Sequence, residues 1–279
     1  MLGERTLVMG VLNVTQDSFS DGGAFLAPER AIEHALEMER AGADLIDLGG
    51  ESARPGSEGI PLDEELRRVL PVLHGLRGRL GIPVSIDTRK AEVAEAAMAA
   101  GAEFINDVSG LKHDPRIAEV AARRRVPLVL MHMRGEPKTM QKGPFARNVL
   151  RDVTAGLRAS ARKAMQAGLP RSQIVLDPGI GFGKTLEQNY ELLARLGELE
   201  KLGFPLLVGT SRKGFLGATL AREGGEPLPP EKRIWGTAAT VAASILGGAH
   251  IVRVHDVAEM VQVARVADCA VGVRKRWKD

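Results

Sequence analysis

The apolar pattern of this chain switches repeatedly between a period of two and a period near 3.6, and this alternation narrows the possible folds most sharply. Short β-like runs fall at 7–12, 45–48, 84–86, 104–105, 128–131, 174–176, 206–208 and 251–254. Between most of them lie stretches such as 28–41 and 89–100, with apolar residues three and four apart, as one face of a helix requires. Eight strands alternating with helices predict a parallel sheet. No long linker or shift in composition divides the chain. A closed (β/α)8 TIM barrel spanning 1–279 as one domain is therefore the economical reading, with an open doubly wound sheet as the alternative. Aromatics are only 4% of the residues, so Val, Ile, Leu and Ala must fill the core.

Three junctions share a local pattern: AGADLID at 41–47, AGAEFIN at 100–106 and GGAHIVR at 247–253. In each, a Gly closes a helix in the left-handed conformation it tolerates best, and a short strand begins at once. Five residues after that Gly stand Asp47, Asn106 and Arg253. An apolar core rejects such side chains unless they are paired. Loops before strands are mostly brief, whereas those after strands at 13–27, 49–61, 132–145 and 178–185 are long and rich in Gly, Pro and Ser. In a barrel these long βα loops, the first two among them, share the C-terminal face where active sites form. Residues 217–233 read as a further long insertion, mobile at Gly224-Gly225.

The net charge of +3 is too small to mark a polyanion-binding protein. Two basic triplets, Arg123-Arg124-Arg125 and Arg274-Lys275-Arg276, read as solvated helix ends, because no aromatics interleave with them as stacking platforms. No nucleic-acid partner is expected. The single cysteine, Cys269, excludes an intramolecular disulfide, and its apolar surroundings (VARVADCAVGV) assign it to packing. The N-terminus has no signal-peptide pattern, and no apolar run reaches the ~18 residues of a membrane span. The expected location is the cytoplasm, with no membrane partner.

The strand ends carry the chemistry. NVTQDSFSDGG (13–23) follows strand one; Asn13 is placed to aim an oxygen at a hard cation or an amide at a phosphate, and Phe19 to close over a ligand. An Asx-rich turn accounts for the same loop. DLGGESARPGS (47–57) sets Arg54 beside Pro55, suiting either recognition of an anion or a surface salt bridge. Asp87 in SIDTRK and Asn106-Asp107 in FINDVSG end strands three and four. Asp87 or Thr88 also suits a helix cap. That reading weakens once Asp177 ends strand six in the same way. DPGIGFGK (177–184) lacks the glycines of both the Walker A and dinucleotide patterns. It reads instead as a Gly-lined wall with Phe182 able to cover a flat ligand. TSRKG (210–214) offers Ser211, Arg212 and Lys213 near a helix start, which favours anions. Alternation puts Arg253 and His255 of RVHD on one side of strand eight, although a capping or packing histidine fits as well.

Together these parts describe a ligand. Asp and Asn at several strand ends suit the donor-rich edge of a heterocycle such as a pterin or purine. Arg253, His255, Arg54 and Lys213 suit phosphate. No zinc pattern and no nucleophile motif is present. The reading is electrostatic catalysis with a polyphosphate leaving group.

The motifs MGVLNVTQDSFSDGG, DLGGESARPG, SIDTRK, INDVSG, LMHMRGEPKTMQ, LDPGIGFGK, GTSRKGF and RVHDV, in that order, resemble the dihydropteroate synthases along essentially the whole chain. The resemblance implies a transferase of folate biosynthesis that joins a dihydropterin pyrophosphate to p-aminobenzoate and releases pyrophosphate. Carried over by residue, it implies that Asp87, Asn106, Asp177 and Lys213 hold the pterin, the flat ligand that Phe182 is placed to cover. Asn13 with Mg2+, Arg253 and His255 would hold the pyrophosphate, while Arg54, Ser211 and the first two long loops would order p-aminobenzoate. On this view Asp87, Asp177, Lys213, Arg253 and His255 are catalytic. A homodimer is also implied, for which the apolar helix at 257–271 is a candidate surface.

Two positions depart from the family pattern. Gln16 stands where the first loop usually has Pro and should loosen it. Ala53 stands where the second usually has Thr and loses a hydroxyl, so weaker substrate binding is expected rather than a dead enzyme. Two other readings remain open: a pterin-binding methyltransferase barrel acting on methyltetrahydrofolate, and a synthase-like paralogue that binds pterin without turnover.

Overall fold

A computed structural model describes residues 3–14 and 27–276. Its strands are β1 (Leu7–Asn13), β2 (Leu45–Gly49), β3 (Val84–Asp87), β4 (Phe104–Asp107), β5 (Leu128–Met131), β6 (Ile174–Asp177), β7 (Leu207–Gly209) and β8 (Ile251–Val254). Most run one or two residues further than their apolar stretch. The backbone ladder continues through Asn13, Asp87, Asn106-Asp107 and Asp177, so polar side chains finish strands whose bodies are apolar. The helices are α1 (Ala27–Arg40), α2 (Leu62–Leu76), α3 (Ala91–Ala100), α4 (Ile117–Arg124), α5 (Val149–Gln166), α6 (Leu186–Ala194), α7 (Leu196–Glu200), α8 (Gly214–Leu220), α9 (Ile234–Leu246) and α10 (Val257–Arg276).

The strands are parallel and ordered β6-β5-β4-β3-β2-β1-β8-β7. Between β6 and β7 the ring meets through one bridge, Leu176 with Leu206, and the Leu176 N–H donates to Pro205 O at 2.9 Å. This closure selects the TIM barrel over the open sheet. Met9, Leu45, Val129, Val175, Leu207 and Ile251 fill the barrel interior, and a larger apolar shell joins the strands to the surrounding helices. The repeated junction turns on Gly42, Gly101 and Gly248, whose φ values of +97°, +111° and +101° lie where a side chain is strained.

On the N-terminal face, the Asp44 carboxylate accepts from Val8 N–H at 2.8 Å and pairs with Arg5. Asp268 on α10 accepts from the Thr6 backbone N–H at 3.0 Å and the Thr6 hydroxyl at 2.7 Å.

Three local expectations change or sharpen. Cys269 is exposed, so it is not a packing residue; α10 is apolar on more than one side, and Val266, three residues earlier, is 73% exposed. Residues 217–233 are not one loose insertion. Residues 217–220 complete α8, and Arg233 returns to Leu228 O (2.6 Å) and Arg212 O (2.7 Å). Arg123 and Arg124 end α4 and share Glu95, as solvated helix-end charges do. The first-loop residues Gln16 and Phe19 lie outside the described residues.

Candidate active site

Strand register places the polar ends in a row. Asn13 pairs with Gly49, Gly49 with Asp87, and Asp87 with Asn106. Gly49 leaves the gap in that row: a Cβ there would stand 3.5 Å from both Asn13 Oδ1 and Asp87 Cβ. Above the row opens a cavity of about 690 Å³. Its walls include Asn13, Arg54, Asp87, Asn106, Asp177, Phe182, Ser211, Lys213, Arg253 and His255, so these strand-end and loop residues meet in one place.

Arg253 reaches across the barrel from β8. Its Nε donates to Asp47 Oδ2 at 2.6 Å and its Nη2 to Asp87 Oδ2 at 2.9 Å. One guanidinium thus ties the end of β8 to the ends of β2 and β3. Burial works against this charge, and Asp47 and Asp87 overcome it, holding its pKa above the ordinary value. Burial, with the Asp47 charge adding to it, pushes the Asp87 carboxyl up to about 8. Asp87 is no helix cap: Lys90 holds the N-cap position of α3 with no side-chain cap, while Thr88 donates to Glu65 at 2.6 Å. Asp107 turns into its own loop and accepts from Ser109 N–H (2.8 Å) and Leu111 N–H (2.6 Å), leaving Asn106 to face the cavity.

On the opposite wall Asp177 accepts from Gly179 N–H at 2.6 Å. Burial raises its pKa against the pull of Lys213. Burial likewise lowers the Lys213 ammonium to about 8, with Asp177 opposing. Lys213 Nζ donates to Ile180 O and stands 4.3 Å from the centre of the Phe182 ring, in cation–π contact. Position 179 requires glycine, with φ +64° and a Cβ that would collide with the His132 carbonyl. The His255 N–H donates to Ser211 Oγ at 3.1 Å, and its Nδ1 lies 2.9 Å from the same hydroxyl. Burial, with Arg253 adding to it, lowers the His255 imidazole to about 3, so it is neutral at pH 7.

The outer wall is held by cross-loop pairs. Glu51, one residue past GlyGly in the second loop, binds Arg89 and Lys90 after β3, and Lys90 also binds the fully buried Glu65. Arg89 also reaches Glu136 at 3.3 Å in the fifth loop. Arg54 lies exposed beyond this anchor at the cavity rim, and Ala53 packs on the cluster of Val108, Met131, Met133 and Met140.

Two residues escaped the sequence reading as site components. Asp47 is fully buried and joins Asn106 and Arg253; its only signal was its place in the repeated junction. Lys184 is buried with Nζ donating to Gly179 O (2.8 Å) and Phe182 O (2.9 Å), so it pins the wall that carries Phe182. Burial lowers its ammonium to about 7. Nothing in the motif distinguished that internal clamp from a ligand contact.

Comparison with known proteins agrees with this geometry. The family described as pterin binding enzyme matches residues 9–255. A dihydropteroate synthase of Synechocystis sp. is 50% identical over 95% of this chain and 90% of its own. A crystal structure of the dihydropteroate synthase of Clostridium difficile in the presence of pteroic acid superposes with TM-score 0.89 at 46% identity, covering 96% of this chain and 98% of that one. That of Xanthomonas albilineans with 4-aminobenzoic acid superposes with TM-score 0.88 at 43% identity, covering 96% and 93%.

Proposed function

The chain belongs to the pterin binding enzymes and, within them, to the dihydropteroate synthases, and from that membership we propose how the residues of its cavity share the reaction. The enzyme is a transferase of folate biosynthesis. It condenses 6-hydroxymethyl-7,8-dihydropterin pyrophosphate with p-aminobenzoate, giving 7,8-dihydropteroate and pyrophosphate.

The observation that carries the assignment of roles is the cavity floor. Asp87, Asn106 and Asp177 offer oxygen acceptors around one space, and Lys213 with Phe182 closes its side. A flat heterocycle with several N–H groups fits that floor, with Phe182 and the Lys213 stem over its face. Asp177 favours the electron-rich form of the pterin. The C–O bond from the exocyclic methylene to pyrophosphate then breaks, leaving a cation that the ring stabilises. Both bonding electrons depart with the pyrophosphate. The amine nitrogen of p-aminobenzoate attacks the methylene and loses a proton. Arg253 stabilises the departing charge through its remaining Nη1, and neutral His255 by donating an imidazole N–H. Arg54 and Ser211, at the rim and beside His255, order the amine substrate.

Among the described residues no group of three or more His, Cys, Asp or Glu could cage a metal. That donor set fits Mg2+ carried mainly by the substrate's phosphates, with Asn13 Oδ1 as the protein oxygen. The ion would neutralise charge on the pyrophosphate.

The direct test is pyrophosphate release from the dihydropterin pyrophosphate, with and without p-aminobenzoate and Mg2+. We expect Mg2+-dependent release, with 7,8-dihydropteroate formed only when p-aminobenzoate is present. Tight pterin binding with no amine-dependent product would sink the catalytic assignment. A homodimer is part of the same reading, supported by Trp235 on α9 and Val266 on α10, which are 80% and 73% exposed. Sedimentation equilibrium at the mass of a single chain would rule it out. No described helix is long and apolar enough to cross a membrane, and the reading places the enzyme in the cytoplasm.

A further inference from the structure

Asp47 does not line the cavity, yet two of the residues that do are attached to it. Its side chain is fully buried at the end of β2. One oxygen, Oδ2, accepts from Asn106 Nδ2 at 2.9 Å and from Arg253 Nε at 2.6 Å. The two ends of an amide are distinguished by what they meet, and a carboxylate beside a guanidinium can only accept. Turning the Asn106 amide over would set oxygen against oxygen. Asn106 Oδ1 is therefore the end left over, buried and with no partner among the described residues.

We propose that Asp47 is a positioning residue that sets heterocycle specificity: by taking the Asn106 N–H it fixes that amide with its oxygen available to a ligand donor. With the Asp177 oxygens opposite, the floor becomes an array of acceptors. Such an array selects the exocyclic 2-amino group of a pterin, the one ring substituent with two N–H donors, and rejects a carbonyl in its place. The same oxygen holds the Arg253 fork, so the specificity element and the leaving-group cation are anchored at a single atom.

The inference rests on the pterin reading above, and calorimetry separates the two. Binding of 6-hydroxymethyl-7,8-dihydropterin and of its 2-oxo analogue is measured in the wild type and in Asp47→Ala. The wild type should prefer the 2-amino compound. In the variant Asn106 Nδ2 has lost its acceptor, the amide is free to invert, and the affinity ratio should fall by about tenfold or more. Equal losses for both ligands, with the ratio unchanged, would overturn the proposal, as would a wild type that prefers the 2-oxo ring. A wild type that binds neither compound instead defeats the pterin reading. If the variant does not fold, neutron diffraction of the deuterated wild type locates the amide directly. Deuterons on the nitrogen facing Asp47 are expected, and deuterons facing the cavity would overturn it.

Discussion

The two ends of this barrel treat charge in opposite ways. At the N-terminal face Asp44 and Asp268 meet backbone N–H groups, a hydroxyl and an exposed arginine, and close the barrel bottom. At the C-terminal face carboxylates, lysines and an arginine crowd a buried floor. There Asp87 is pushed up to about 8, Lys213 down to about 8 and His255 down to about 3, while Asp47 Oδ1 and Asn106 Oδ1 have no partner among the described residues. A buried polar atom without a partner costs about 1–3 kcal/mol, which the packed lower layers must offset. Stability and chemistry are thus divided along the barrel axis.

Substitutions at each end should therefore fail differently. The largest effect is expected from Asp177→Ala, which removes the carboxyl group opposite Lys213; loss of one preorganised electrostatic contact should lower kcat by about 10²–10³-fold. A near-wild-type rate of pyrophosphate release would remove Asp177 from the mechanism. At the other end, Asp268→Ala should leave kcat unchanged and cost about 1–3 kcal/mol, seen as several degrees in Tm. A change in kcat with an unaltered Tm would reverse the comparison.

A smaller effect concerns pH. Burial lowers the 5% exposed His132 to about 2, with Lys184 adding to it. Its folded pKa lies below the unfolded value of about 6.5, so as pH falls the unfolded chain takes up the proton first. The stability from neutral His132 is present above pH 6.5 and is lost as pH falls through the range from about 6.5 to 2. The slope is at most about 1.4 kcal/mol per pH unit. Denaturant melts between pH 7 and 5 should show His132→Gln with the shallower dependence; parallel curves would refute it. The smallest change is expected from Ala53→Thr, where a restored hydroxyl is worth about 0.5–1.5 kcal/mol. The KM for p-aminobenzoate should drop by up to about tenfold with kcat little altered, and an unchanged KM would show that this position does not reach the amine.

Much of this division was legible from residue order. The eight apolar runs and the polar residues that follow them locate the cavity, because a parallel strand carries its last side chains to one rim of the barrel. What stayed hidden depends on distance along the chain. Asp47 meets Arg253 across 206 residues, and Lys184 meets the His132 carbonyl across 52, so no local pattern announces either contact. Cys269 failed for another reason: apolar residues such as Val266 also stand on the outward side of α10, so apolar neighbours in sequence do not mark a buried position. In the 217–233 segment, glycine and proline content masked a short helix and the Arg233 staple.

The single bridge between β6 and β7 has a mechanical consequence. Every other pair of neighbouring strands is laced by a ladder, so this joint is the seam of the ring. Asp177 leaves one lip of the seam, and Lys213 stands four residues beyond the other. A heterocycle gripped by both acts as a rivet across it, and its binding energy resists opening of the barrel wall as well as dissociation. Amide exchange at 206–208 should then slow when the pterin site fills, while the laced wall between β1 and β2 exchanges at an unchanged rate.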